Sequence, residues 1–483
     1  MMQLDKVLNQ SEAAFEQYKT TSLADRASFL RVIAEQLEAV KETLIPTACA
    51  ESNLPEGRIT GELGRTTGQI RLFATYVEEG TWLEATIDHA DPDRAPVPKP
   101  DLRRMLVPLG PVAVFGASNF PLAFSTAGGD SISALAAGCT VVYKGHPGHP
   151  KTSLMVFEAI QKAITEAGFP EGVFQHIEGG IAEGQALVQH PAVKAVGFTG
   201  SFKGGKALFD LANDRSTPIP VYAEMGSINP IIAFEKALEQ QAKVAGQYAQ
   251  SLTLGAGQFC TNPGVIFVPS SIAESFAQHV GKALADTAGQ EMLHEGIQTA
   301  YNESLDKLAN AGGLHWIQKA AGKETGHPAL ALTDLDTWIR EEALQEEVFG
   351  PFGIVVAYDS KEALLQAARS LQGQLTITLW ASDEELSSQG ALISALQEKC
   401  GRLLFGGVPT GVEVGHAMQH GGPYPATTDS RSTSVGVYAI KRFARPFAFQ
   451  NCPDSLLPEV LKEANPLGIV RTVDGVFSIR YEV

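Results

Sequence analysis

The spacing of hydrophobic residues changes along the chain. Over roughly the first 80 residues, apolar side chains recur every three to four positions, as at Leu23, Ala27, Leu30 and Ile33, which is typical of an amphipathic helix. Glycines in the range 57–68 interrupt this spacing before it resumes, so we expect a short break there. The N-terminal region is therefore predicted to consist of several helices.

A segment rich in proline and charge follows. Residues 88–104 read DHADPDRAPVPKPDLRR and contain four prolines. Proline lacks the N–H that a central strand donates, so this segment is predicted to be an excursion or a linker.

From Met105 onward, apolar runs of strand length alternate with helical stretches. The runs LVPLGPVAVFGAS, TVVYKG, KAVGFTGS and PVYAEMG form a first block, and GVIFVPS, FGIVVAYD, LTITLWA and GRLLFGG form a second. This alternation predicts parallel sheets with helices on both faces, hence an α/β fold of two units joined near residue 230. The strand-like tail VRTVDGVFSIRYEV is expected to pair elsewhere in the chain or across a subunit boundary.

Composition narrows the class of protein. Of the 483 residues, 37 are Lys or Arg and 54 are Asp or Glu, and the net charge of -17 disfavours nucleic acid and anionic membrane surfaces as partners. No apolar run approaches the roughly 20 residues that span a bilayer, and the polar first helix lacks a secretory core. Five cysteines, an odd number, argue against a disulfide framework, so we expect a cytoplasmic, globular protein.

Cys260 is the first candidate for chemistry. It follows a helical stretch and lies in SLTLGAGQFCTNPG, where Gly, Gln, Asn and Pro form a loop whose backbone donors can face a substrate. A thiol in such a loop can act as a nucleophile, although a lone intracellular cysteine is more commonly a small buried hydrophobe. The remaining cysteines lack a loop of this kind and are interpreted as structural: Cys49, Cys139, Cys400 and Cys452.

Three polar residues end predicted strands, where α/β folds place their ligands. Glu224 is a carboxylate at such a strand end, Asn119 can donate to a developing oxyanion, and Lys144 can bind the hydroxyls or phosphate of a nucleotide. Each is individually also compatible with an ordinary loop, cap or solvated position.

Two further segments contain recognisable spacing. Gly200, Ser201 and Gly205 form a strand-to-helix turn in GFTGSFKGG, and such turns bind anions through free N–H groups, although this is not the GxGxxG fingerprint. His416 and His420 lie four residues apart, but their segment is glycine-flanked and shows neither a third ligand nor HExxH. We expect no metal there and interpret the segment as a loop near a binding site or as surface.

The order of these motifs is more informative than any one of them. Asn119, Lys144, the turn 197–205, Glu224, Cys260 and EEVFGP at 346–351 occur in an order and spacing that resembles the aldehyde dehydrogenase superfamily over essentially the whole chain. The resemblance implies that Cys260 adds to the aldehyde carbonyl, that Asn119 and the backbone N–H of Cys260 stabilise the oxyanion, and that Glu224 activates water to hydrolyse the thioester.

The resemblance also implies cofactor contacts. Lys144 would hold the adenosine ribose, Ser201 in the glycine-rich turn 200–205 would contact the pyrophosphate, and Glu347 and Phe349 would position the nicotinamide ribose and ring. Some relatives have a glutamate three residues after this lysine, whereas this chain has Pro147, which does not repel a 2′-phosphate. NADP is therefore the expected cofactor, and NAD remains possible.

The implied architecture is two doubly wound parallel-sheet domains, one cofactor-binding and one catalytic, with a small strand-based oligomerisation element in a homodimer or homotetramer. The implied ranges are 1–88 and 109–229 for the cofactor-binding domain, to which 441–465 return, 230–440 for the catalytic domain, and 89–108 with 466–483 for the oligomerisation element.

The substrate prediction rests on departures from the commonest family pattern. Glu224-Met225-Gly226-Ser227, GHAMQHGGPYPATTDSRSTSVG from Gly415 and NPLGIVRTVDG from Asn465 resemble a branch with 2-oxoglutarate semialdehyde (2,5-dioxopentanoate) dehydrogenases and some long-chain fatty aldehyde dehydrogenases. We expect oxidation of 2,5-dioxopentanoate to 2-oxoglutarate. The alternatives are a fatty aldehyde enzyme, a coenzyme A-acylating enzyme, which can lack the glutamate, and an inactive scaffold.

A substrate that carries a carboxylate is best recognised by a positively charged side chain in the pocket. Arg65 and Arg71 are candidates for a bidentate contact with that carboxylate, because their helix can line the substrate entrance in this family. Both are equally compatible with solvated positions on a helix.

Overall fold

The computed structural model describes residues 2–478. Within that range the helices are α1 (Met2–Tyr18), α2 (Leu23–Ala39), α3 (Lys41–Ser52), α4 (Glu56–Glu79), α5 (Gly129–Ala137), α6 (Pro150–Glu166), α7 (Ile181–Gln189), α8 (Phe202–Asn213), α9 (Gln241–Thr253), α10 (Ser270–Ala285), α11 (Glu295–Ala311), α12 (Leu335–Arg340), α13 (Lys361–Ser370), α14 (Asp383–Ser387) and α15 (Gly390–Gln397).

The strands of the described chain form three sheets. In chain order they are β1 (Thr86–Asp88), β2 (Leu102–Pro108), β3 (Val112–Phe115), β4 (Val141–Lys144), β5 (Phe174–Ile177), β6 (Ala195–Thr199), β7 (Val221–Glu224), β8 (Ile231–Ala233), β9 (Val265–Pro269), β10 (His315–Gln318), β11 (Ala329–Asp334), β12 (Phe352–Tyr358), β13 (Gln374–Trp380), β14 (Cys400–Phe405), β15 (Ala444–Gln450), β16 (Arg471–Val473) and β17 (Val476–Ser478).

The first sheet is parallel throughout, with strand order β5-β4-β3-β6-β7. The chain order reverses between β3 and β6, so the loops after these two strands diverge and leave a crevice at their carboxyl ends. Asn119 follows β3, and Gly200 and Ser201 follow β6. The topology therefore brings two segments that are distant in sequence to one edge of the sheet.

The second sheet has seven strands in the order β10-β11-β12-β9-β8-β13-β14. All neighbours are parallel except the edge pair β10 and β11. Its strands are almost wholly buried, as their continuous apolar runs predict. The prediction of two doubly wound parallel-sheet units is confirmed.

The N-terminal helices pack on the first sheet, and α4 corrects one expectation. Residues 56–79 form a single helix, although the glycines in 57–68 predicted a break. Glycine costs about 1 kcal/mol relative to alanine inside a helix. Burial of the same helix face, at Ile59, Leu63, Ile70 and Phe73, offsets that cost and keeps the helix continuous.

The third sheet is small and mixed, with strand order β15-β2-β1-β16-β17. The tail pairs within the chain: β16 runs parallel to β1 and turns into β17, whereas residues 479–483 of the predicted oligomerisation element lie outside the described residues. Two assignments need correction, because β1 and β15, predicted to belong to the cofactor-binding domain, lie in this sheet. Pairing with β2 over seven residues places β15 there.

None of the helices in the described range is both long and apolar enough to cross a membrane.

Candidate active site

A cleft of about 650 Å³ opens where the carboxyl ends of the first sheet's strands face the segments that precede β9 and β12 of the second sheet. Segments from both large sheets and from α11 line it. Seven of the residues singled out from the sequence line this one cleft: Asn119, Gly200, Ser201, Glu224, Cys260, Glu347 and Phe349. Lys144 and Gly205 do not line it.

The loop that carries Cys260 is held by tight backbone packing. Gly255, Ala256 and Gly257 all have positive φ angles, which ends the helical path after α9 and turns the chain toward the cleft. A Cβ atom on Gly257 would lie 2.3 Å from the backbone of Gly350, so only glycine allows this approach. The nucleophile loop therefore packs directly against the loop that carries Glu347.

Asn229 holds the same loop through hydrogen bonds. The sequence analysis did not identify this residue. This fully buried residue, at φ 47°, donates from Nδ2 to the carbonyl oxygens of Cys260 (2.9 Å) and Asn262 (3.0 Å). Its Oδ1 accepts hydrogen bonds from Ser227 and Thr376. The signal in the sequence is an asparagine between two strands that tolerates a left-handed backbone.

His420 completes a triangle with the predicted nucleophile and base. Its Nε2 lies 3.6 Å from Sγ of Cys260 and 3.0 Å from Oε2 of Glu224, and both His420 and Glu224 are almost fully buried. Ser434 donates from Oγ to the same carboxylate oxygen at 3.2 Å. The sequence analysis placed His420 in a loop near a binding site or on the surface, and the structure places it beside the nucleophile.

The surroundings of the triangle set its protonation. Burial, followed by the nearby carboxylates of Glu224 and Glu347, raises the pKa of the Cys260 thiol well above its usual value. Burial alone would also raise the pKa of Glu224, but the His420 ring and the hydrogen bonds from His420 and Ser434 hold it below its usual value. The site thus holds a protonated thiol next to the ionised carboxylate of Glu224, which can accept the thiol proton.

Asn119 lies across the cleft from these groups. Its Nδ2 donates to the carbonyl oxygen of Gln258, two residues before Cys260, at 3.0 Å. An amide nitrogen has two hydrogens, so this bond fixes the side chain and leaves the second hydrogen to a reacting oxygen.

The loop after Asn119 is in turn fixed by α4. Oε1 of Glu62 accepts from the backbone N–H groups of Leu122 (2.8 Å) and Ala123 (2.9 Å), and its Oε2 pairs with Arg58 at 2.8 Å. The carboxylate is fully buried, so these contacts satisfy a charge that would otherwise be costly to bury.

The far part of the cleft has features of a dinucleotide site. Ser201 precedes α8 and caps it by accepting from the N–H of Gly204, so the first helical turn presents backbone donors to an anion. Glu347 and Phe349 enter from the opposite side, and burial raises the pKa of Glu347 to about 7. A Cβ atom on Gly226 would lie 2.3 Å from Oε2 of Glu347, which shows how closely this carboxylate packs.

Lys144 and Gly205 act outside the wall of the cleft. Lys144 ends β4 and is mostly buried, and burial lowers the pKa of its ammonium group although Glu183 opposes that shift. Gly205 allows α8 to approach β7, because a Cβ atom there would lie 2.6 Å from Sδ of Met225.

Two arginines approach the nucleophile from the other side. The Arg65 guanidinium stacks on Phe124 at 5.1 Å, and its buried Nη1 has no hydrogen-bond partner within the described residues. Arg402 on β14 has a buried Nε that is equally unpartnered there, and its Nη atoms make long contacts to Pro409, Gly411 and Met418. Both guanidinium groups interact electrostatically with Cys260.

Arg71, the other arginine candidate, is not part of the site. Its guanidinium forms a two-bond ion pair with Glu38 on the exposed side of α4, at 2.7 and 2.8 Å. This pair satisfies the guanidinium at the surface.

Comparisons with known proteins agree with this geometry. The profile of the aldehyde dehydrogenase family matches residues 1–422. The chain is 47% identical over 487 aligned residues to the alpha-ketoglutaric semialdehyde dehydrogenase of Acinetobacter baylyi, covering 98% of this chain and 92% of that protein. It is 48% identical to alpha-ketoglutaric semialdehyde dehydrogenase 2 of Azospirillum brasilense, covering 96% of this chain and 89% of the relative.

Solved structures share the fold. The 1-pyrroline-5-carboxylate dehydrogenase from Thermus with bound NAD superposes with a TM-score of 0.77 at 21% identity, covering 93% of this chain and 85% of that chain. The glyceraldehyde-3-phosphate dehydrogenase GapN from Methanocaldococcus jannaschii, complexed with NADP, gives 0.77 at 20% identity, covering 93% and 94%.

Proposed function

The chain belongs to the aldehyde dehydrogenase family, and on this basis we propose that it oxidises 2,5-dioxopentanoate to 2-oxoglutarate with NADP, NAD being the alternative cofactor. The relatives at 47 and 48% identity carry the name of this activity over nearly their whole length. The rest of the proposal rests on the residues of the cleft.

In the proposed reaction each step is assigned to a residue of the cleft. The Cys260 thiol loses its proton to Glu224 and adds to the aldehyde carbon, while Asn119 donates to the oxygen that becomes negative. Glu347 and Phe349 would hold the nicotinamide of a bound cofactor, which would supply the acceptor for the hydride that leaves this carbon. Glu224 then takes a proton from the water that hydrolyses the resulting thioester, and the His420 and Ser434 contacts keep it ionised for that task.

The observation that supports an anionic substrate is the pair Arg65 and Arg402. Both guanidinium groups interact electrostatically with Cys260, and positive charge near the nucleophile favours a substrate that carries a carboxylate. A long hydrocarbon chain gains nothing from these charges, so this observation favours the anionic substrate over the fatty aldehyde alternative.

The presence of Glu224 beside Cys260 supports hydrolysis over transfer to coenzyme A. Its carboxylate oxygen lies within 4.8 Å of Sγ, a distance that one water molecule can bridge. The intact set of Cys260, Glu224 and Asn119 likewise argues against an inactive scaffold.

The cofactor proposal follows from the surroundings of Lys144. Pro147 supplies no carboxylate to compete with a 2′-phosphate, which supports NADP. The carboxylate of Glu183 interacts electrostatically with Lys144, and its segment supplies no arginine for a phosphate, which supports NAD as the alternative. Initial rates measured with each cofactor would test the proposal.

The decisive experiment compares arginine variants across substrates. Initial rates would be measured with 2,5-dioxopentanoate, succinate semialdehyde, glutaraldehyde and a long-chain aldehyde for the wild type, Arg65→Met and Arg402→Met. Each substitution should lower kcat/KM for 2,5-dioxopentanoate by roughly 10- to 100-fold, the worth of a charge-assisted hydrogen bond, and leave neutral aldehydes little changed.

Arg71→Met is the matched control, because Arg71 lies on the same helix and pairs with Glu38 at the surface. It should behave as the wild type does. A wild-type preference for the long-chain aldehyde, or equal losses with charged and neutral substrates, would overturn the assignment of an anionic substrate. Product analysis with and without coenzyme A would separate hydrolysis from acyl transfer.

A further inference from the structure

The arrangement of Cys260, His420 and Glu224 matches a second kind of chemistry. The ligand atoms of these three side chains all lie within 4.8 Å of one another, which is close enough to hold one metal ion. No other such group of His, Cys, Asp or Glu occurs among the described residues. We propose that this triangle is a reversible binding site for zinc-like divalent cations, which stop the enzyme by occupying its nucleophile.

The distances fit tetrahedral coordination. A zinc ion with Zn–S near 2.3 Å and Zn–N near 2.05 Å holds these two ligand atoms roughly 3.5 Å apart. The Sγ of Cys260 and Nε2 of His420 are 3.6 Å apart without any rearrangement. The carboxylate oxygen of Glu224 lies 3.0 Å from Nε2, so it needs to move outward by only about 0.4 Å to reach the corresponding tetrahedral edge.

The ligand types select the metal. Thiolate and imidazole are ligands of zinc and cobalt, whereas magnesium and calcium require an oxygen shell. The thiolate and carboxylate carry two negative charges, which neutralise a divalent cation in this buried position. Cys260 and Glu224 line the cleft, so the ion can enter from there, and the fourth coordination position faces the same space.

The surroundings of His420 predict moderate affinity. Metal-bound histidines usually donate from the other ring nitrogen to an acceptor, and loss of that contact typically weakens metal binding 10- to 100-fold. Nδ1 of His420 is buried and has no partner within the described residues. The site therefore suits a reversibly bound ion rather than a permanent structural ion.

Binding displaces the thiol proton. Coordination forms the metal–sulfur bond and releases the proton of Sγ to solvent, and the hydrogen on Nε2 of His420 moves to Nδ1 so that Nε2 can bind the metal. Aldehyde and metal then compete for the same sulfur atom. A bound ion also shields that sulfur from alkylation.

The test uses Co²⁺ as a spectroscopic probe and Zn²⁺ in calorimetry on the chelator-treated, full-length protein. We expect one Co²⁺ per chain with the thiolate-to-cobalt charge-transfer band and the intense visible bands of tetrahedral cobalt. Cys260→Ala should abolish the charge-transfer band, and His420→Gln should weaken Zn²⁺ binding at least ~10-fold. His416→Gln is the control, because His416 lies four residues away, is exposed, and should leave binding unchanged.

Several results would overturn the proposal. They are a missing charge-transfer band, Zn²⁺ binding that survives in Cys260→Ala, and His420→Gln binding as tightly as wild type, which would reduce the site to a lone thiol. NADP binding measured on each variant reports whether it is folded. Aldehyde oxidation in the presence of chelator is measured separately, so failure of the metal site leaves the test of the proposed function intact.

Discussion

Asn229 donates a 2.9 Å hydrogen bond from Nδ2 to the carbonyl oxygen of Cys260, thereby tying the nucleophile to the second sheet. The same amide also bonds to Asn262 and accepts from Thr376 of β13. The position of the sulfur thus depends on a side chain that never contacts the substrate cleft. Rigid support of this kind keeps reacting groups within the narrow geometry that catalysis requires.

Replacing Asn229 should therefore affect both stability and turnover. Asn229→Ala removes a donor from buried carbonyls and places alanine at φ 47°, so we expect the free energy of unfolding to fall by about 3 kcal/mol. Denaturant titration would measure this, with activity assayed on the folded fraction. Asn310→Ala, at an exposed helical asparagine, is the control and should change stability by less than about 0.5 kcal/mol.

Glu224→Gln should separate the two halves of the reaction. The amide cannot accept a proton from water, so the acyl-enzyme on Cys260 should accumulate and appear by intact mass after mixing with aldehyde and cofactor. Cys260→Ala should show neither adduct nor turnover while still binding cofactor. Unchanged turnover without an adduct would remove Glu224 from the role of base.

His420→Gln should make the thiol less reactive. Without the ring 3.0 Å from its Oε2, the carboxylate of Glu224 is no longer held ionised and accepts the thiol proton less readily. Alkylation of Cys260 by iodoacetamide should slow about 10-fold and its pH profile should shift upward. A profile identical to that of the wild type would show that His420 does not influence the ionisation of the thiol.

Glu347 should give the stability of the enzyme a pH dependence. Burial raises its pKa in the folded state to about 7, above the ordinary value of 4.5. Below about pH 4.5 the carboxyl is neutral in both states, and between 4.5 and 7 only the folded state retains the proton. Its contribution to stability is therefore lost as the pH rises through about 7.

Glu347→Gln removes this titration. In cofactor-free protein, the unfolding free energy of the wild type should fall relative to that of the variant as the pH rises from 4.5 to about 7. The expected decrease is on the order of 3 kcal/mol. A constant difference across the window would show that Glu347 is already ionised in the folded enzyme.

Assembly through the small sheet stays a prediction. Val476 and Phe477 on the edge strand β17 are 68% and 78% exposed, which is unusual for apolar residues on an unpaired edge. If β17 lies in the interface of a homodimer or homotetramer, Phe477→Asp should lower the mass measured by light scattering without changing the stability of the subunit. An unchanged mass would contradict the expected oligomerisation element at this edge.

Candidate residues with local signals could be predicted from the sequence. Cys260, Glu224 and Asn119 each follow or end a recognisable strand or helix, and the structure brings them to one cleft. The order of the motifs along the chain was sufficient to predict the family and the two α/β units. His420 gave no comparable signal, because it lies in a segment without regular structure 160 residues beyond Cys260 and reaches the site only through tertiary packing. Arg65 became distinguishable from Arg71 only when burial and the Glu38 partner were known.

Two expectations about the fold, the break within α4 and the domain of β15, were wrong for the same physical reason. The glycines of α4 lower helix propensity, but the buried face of that helix outweighs this local preference. The location of β15 depends on which strand it pairs with, and backbone pairing between segments more than 300 residues apart leaves no periodic pattern in either segment.

The two arginines near Cys260 belong to different halves of the molecule. Arg65 extends from the helices on the first sheet, and Arg402 from a strand of the second. An anion held by both would link the two halves and oppose their separation, whereas an uncharged aldehyde would not.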